Sequence, residues 1–183
     1  MIAKEKLNIL WSLEQTAEKY ADRVAVSDVN QELTWKELVK KAQVIGAELS
    51  EKVQPGNPVP VLLEKSSETL AVMLGIVYAG CFYVPVNPMN PTERLRKIME
   101  KLDPEVIISD EKGKEQLAAV GNGLENKVMG PEALKTHLCI FALPFSSAFS
   151  FTLFIYRINR NTEGNRGKSW SSQPVYPSFY RNL

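Results

Sequence analysis

Apolar positions along the first two thirds of the chain alternate between helix-spaced stripes and short continuous runs. Leu38, Ala42, Ile45 and Leu49 recur on one helical face. Thr34-Trp35-Lys36-Glu37 precedes them with the spacing of a capping box, in which hydroxyl and carboxylate each satisfy a free backbone N–H. After the Pro55-Gly56 turn, Val59 to Leu63 predicts a buried strand. Ser66 or Ser67 then caps a helix holding Leu70, Met73, Leu74 and Val77, with Ala71, Val72 and Ile76 on its other sides. A helix apolar nearly all round is covered on both faces, and Gly80 is placed to end it.

Phe82 to Val86 predicts the next strand. Asn90-Pro91-Thr92-Glu93 predicts a helix start, with Asn as cap, Pro in the first position and Glu in the third. Leu95, Ile98, Met99 and Leu102 form that helix's stripe, and Val106 to Asp110 a short apolar strand. Glu111 to Val120 reads as a further helix and Lys127 to Met129 as an edge strand. Strands alternating with helices predict an α/β fold, a mostly parallel sheet with helices on both faces.

Candidate chemistry is sparse in this region. His137, the one histidine, has no cysteine, histidine or aspartate cluster near it and reads as a loop residue. The first strand is not followed by GxGxxG, so the dinucleotide fingerprint is missing. Gly113 and Gly121 to Gly123 read as loop glycines, and Asp103 and Glu105 around Pro104 as solvated turn acids. Cys81 sits at a helix-to-strand corner, where a small residue packs. No catalytic, cofactor-binding or metal-ligating residue is assigned.

Composition changes the picture at one place. The 183 residues are 44% apolar with a net charge of +1, ordinary for a soluble domain and giving no reason to expect a nucleic-acid surface. Cys81 and Cys139 form no CxxC pair, which suits a reducing, cytoplasmic setting. Met1 to Leu7 is charged and is not a secretory signal. Up to His137 the chain carries 17 basic and 20 acidic residues. From Leu138 onward it carries five basic residues, one acid and six of the seven Phe. Residues 1–137 and 138–183 are therefore separate compositional units.

Three passages in order resemble the adenylate-forming, or AMP-binding, enzymes. Leu33-Thr34-Trp35-Lys36-Glu37-Leu38 is similar to their "LTYxEL", and Tyr78 to Pro88 (YAGCFYVPVNP) to their "KAGxAYVPIDP". Pro91-Thr92-Glu93-Arg94-Leu95 follows, like "PxERI". Ala17 to Val26 is similar to the family's "yPdkvAv", and the resemblance covers about residues 8 to 135. Among the members, amino-acid adenylation domains of nonribosomal peptide synthetases and D-alanine–carrier protein ligases look most alike. The resemblance implies a partial AMP-binding domain over 1–137, the N-terminal subdomain of that fold. In the full family it implies ATP and Mg as cofactors, an amino acid as substrate, and a phosphopantetheinylated carrier protein as partner. Asn87 stands where amino-acid activators usually carry Asp, which leaves an acyl-CoA ligase as the alternative. The family's glycine-rich phosphate loop, ribose-binding Asp and catalytic lid lysine have no counterpart in 1–137. The expectation is a truncated, inactive ligase that binds no nucleotide well.

Leu138 to Tyr156 holds 19 uncharged residues, then Arg157 and Arg160, which also fits a marginal membrane anchor on a non-enzymatic α/β module. A frameshift explains more. Arg157 to Asn165 can be encoded so that reading one base later gives Gly-Ser-Thr-Gly-Thr-Pro-Lys-Gly, like the missing "SGSTGxPKG" loop. In the same frame, Lys168 to Trp170 can hide Ser-His-Gly and Phe179 to Asn182 can hide Phe-Ile-Glu-Thr, in family order. Lys168 itself is not the family's loop lysine. The expectation is that residues from about 138 are a frameshifted translation without an evolved fold, and that the membrane is not a partner.

Overall fold

A computed structural model describes residues 9–135. His137, Cys139, Lys168, the uncharged run 138–156 and the shifted-frame segment lie outside the described residues.

The chain opens with helix α1 (Ile9–Lys19), which buries Leu10 and Leu13. An antiparallel pair follows, β1 (Val24–Ser27) and β2 (Glu32–Thr34). The sequence reading did not separate these three elements; the two strands are short and β1 is half exposed. Helix α2 (Trp35–Ser50) starts at the expected capping box: Glu37 N donates to Thr34 Oγ1 at 3.3 Å, and Thr34 N to Glu37 Oε2 at 2.9 Å. All four residues of its apolar stripe are buried.

A four-stranded sheet comes next. Strand β3 (Pro58–Leu62) leads to α3 (Ser67–Tyr78) and β4 (Phe82–Pro85). Helix α4 (Thr92–Leu102) leads to β5 (Ile107–Ser109), and α5 (Glu111–Val120) to β6 (Val128–Met129). Strand order is β4-β3-β5-β6, with every neighbour pair parallel. From β3 the chain steps one way to β4, then crosses back over β3 to β5 and β6. Right-handed crossovers that reverse direction must place their helices on opposite faces.

The two cores confirm that arrangement. Val59, Val61 and Ile108 join the cluster formed with α1, α2 and α3. Leu62 and Ile107 turn to the other side, against Leu95 and Met99 of α4 and Leu117 of α5. Alternate strand residues thus feed two layers, the pattern of a sheet covered on both faces.

Helix α3 is buried nearly all round because α2 lies directly on it. A Cβ at Gly75 would fall 2.4 Å from Ile45 Cγ2, and one at Gly46 would fall 2.5 Å from Tyr78 Cβ. Gly80 ends α3 at φ 78, with Gly80 N donating to Val77 O and Cys81 N to Ile76 O. That pair of bonds is a Schellman motif, which requires the left-handed conformation that glycine adopts freely.

Two local readings are corrected. Gly113 is not in a loop: it sits in the first turn of α5, where a Cβ would lie 2.0 Å from Ser109 Oγ. Small size there lets the helix press on its own strand. Asn90 does not cap α4; Pro91 does, in extended conformation (ψ 146), with no side-chain cap bond. Pro91 therefore precedes the first helical residue instead of occupying it.

Candidate functional site at the carboxyl end of the sheet

In an open parallel sheet, ligands bind beyond the carboxyl ends of the strands where the winding direction reverses. Here that point lies between β3 and β5, at the loop 63–66 and at Ser109-Asp110. Helix N-termini at such a point offer free N–H groups to a phosphate. In this chain several of them already have partners. Ser66 Oγ accepts from Thr69 N at 3.1 Å, and Ser66 is the N-cap of α3. Asp28, from the turn between β1 and β2, places Oδ2 2.7 Å from Ser67 N. Its Oδ1 accepts from Asn30 N at 2.8 Å and Gln31 N at 3.0 Å. These donors, above all Ser67 N–H, hold the Asp28 carboxyl far below the usual carboxylate range.

At α5 the same closure recurs: Asp110 caps the helix, accepting from Gly113 N at 2.8 Å. Ser109 Oγ is buried and donates to Leu62 O at 3.2 Å, tying β5 to β3 at the crevice. Beside α3, Lys41 Nζ meets Glu68 Oε2 at 2.7 Å, and Gln31 Nε2 donates to the same oxygen at 3.4 Å. The switch point is a set of internal bonds that fix the hairpin, α2 and α3 to one another.

Asp28 is the residue that sequence reading missed. Asp28-Val29-Asn30-Gln31 carries a turn signature, Asp first and Asn third, between two short β-prone runs. Its bond to Ser67, 39 residues on, is tertiary and leaves no local trace.

The residues weighed from the sequence take ordinary places. Cys81 is a free, buried thiol 3.4 Å from Gln54 O, and burial pushes its pKa up, the opposite of an activated nucleophile. Glu105 Oε2 accepts from Gln54 N at 3.0 Å. Asp103 takes φ 41 at the end of α4, with Lys127 Nζ 3.8 Å away. Gly121 and Gly123 have positive φ in the loop after α5, as expected. A shallow concavity of about 220 Å³ lies between the ends of α4 and α5, beside Arg96, Asp103 and Lys127. That is below the size of a typical ligand site, and its cations already face carboxylates: Arg96 meets Glu93 at 2.6 Å and Glu100 at 2.7 Å. Among the described residues, no group of His, Cys, Asp and Glu could hold a metal ion.

Comparison with known proteins places this arrangement. A family model described as AMP-binding enzyme matches residues 13–152, continuing past the composition break after His137. Bacitracin synthase 1 of Bacillus licheniformis is 37% identical over 107 residues, 58% of this chain and 2% of that protein. Among solved structures, the complex of VinN with 3-methylaspartate aligns with a TM-score of 0.62 at 27% identity, covering 72% of this chain and 35% of that one. The AMPPNP-bound form of FmoA3, a nonribosomal peptide synthetase, aligns with a TM-score of 0.59 at 26% identity, covering 68% and 13%. The chain spans a small part of each of these relatives.

Proposed function

Because the chain belongs to the AMP-binding enzyme family, we propose that its residues up to about 137 are scaffold for an amino-acid-activating, adenylate-forming ligase. Such an enzyme joins an amino acid to ATP with Mg, releases pyrophosphate, and passes the acyl group to a carrier protein's phosphopantetheine thiol. The family match over residues 13–152 carries this reading. At the switch point Ser66, Asp28 and Asp110 already accept from Thr69 N, Ser67 N and Gly113 N, which fits a scaffold whose phosphate donors lie elsewhere. In the family resemblance these come from the glycine-rich loop that follows. Without fixed N–H groups and a cation around the triphosphate, nothing offsets the charge displaced in adenylate formation. An amino-acid substrate is favoured over a fatty acyl one by the peptide-synthetase and 3-methylaspartate-bound relatives.

The second half of the proposal concerns the coding frame. Between Leu138 and Arg157 the reading frame departs from the family's by a net gain of one base, or a loss of two. From Arg157 the frame one base later encodes the loop. The family match reaching residue 152 supports a change late in that interval. On this account the uncharged run 138–156 is not a membrane anchor. Among the described residues, which do not include this run, no helix is long and apolar enough to cross a membrane.

ATP–pyrophosphate exchange with a panel of amino acids tests both halves. The 183-residue chain should show no exchange, and the full gene with one base removed upstream of codon 157 should show it. Robust exchange by the chain as it stands would overturn the frame reading. Silence from the corrected gene across the panel would count against amino-acid activation.

A further inference from the structure

No further inference is drawn: the strongest candidate, the exposed apolar side chains Val29 of the hairpin turn, Leu70 of α3 and Met89 beyond β4, carries nothing because nothing in the structure shows what covers them.

Discussion

Asp28 shows how one side chain can close a site. Its carboxylate collects three backbone N–H groups from two segments, and this favours its charged form. The folded-state pKa lies below the 3.8 of an unperturbed Asp, so the carboxylate contributes stability that is fully present above about pH 5. That contribution is lost as pH falls through 3.8 towards the folded value. Asp28→Asn should therefore lower the melting temperature at pH 7, and its gap to the parent should narrow steadily as the pH falls below 3.8. Melting curves across that range check it; a gap constant with pH would mean the carboxylate's charge plays no part. Local residue chemistry was legible where it was local: the Thr34–Glu37 box and the end of α3 at Gly80 need only their neighbours. Gly113 was not legible, because what makes it necessary is Ser109 Oγ on the strand beneath it.

Among the elements, α2 and α3 share the most extensive contact, and two glycines let them approach. Glycine inside a helix ordinarily costs about 1 kcal/mol relative to alanine, so helix propensity alone predicts that a substitution stabilises. At Gly75 the added methyl meets Ile45 Cβ at 2.6 Å and Ala42 O at 3.0 Å, so a helix must shift. Gly75→Ala should destabilise by roughly 1–3 kcal/mol despite the better propensity, measured by urea unfolding; a neutral or stabilised variant would show that the helices separate freely. Periodicity found α2, α3, α4, α5 and the parallel strands. It did not find α1 or the β1–β2 pair. Those are positioned by tertiary bonds, such as Tyr78 OH to Glu14 Oε1 at 2.9 Å, which no local pattern announces.

At the scale of the molecule, the last described element packs onto the main core. After β6 the chain makes a 3-10 turn over Pro131–Lys135, and Leu134 is buried in the cluster with α2. A chain ended after Lys135 should stay folded and melt cooperatively, whereas ending it after Gly130 removes Leu134. Losing a buried leucine costs about 2–5 kcal/mol, so the shorter chain should melt lower or fail to fold. Circular dichroism of the two compares them directly; equal melting would show that Leu134 adds nothing. The family was readable because its motifs fall on elements that the sheet topology brings into one unit.

The central claim, that family sequence gives way to a shifted frame ahead of Arg157, is most directly tested by sequencing the coding DNA across codons 130 to 185 on both strands. The account predicts a first base followed by GG at codon 157, ATC at codon 158 and GAA at codon 163. One base later, these read Gly, Ser and the loop lysine. ATT at codon 158 would place Leu in the shifted loop, and ATA would place a stop there; either result contradicts the account.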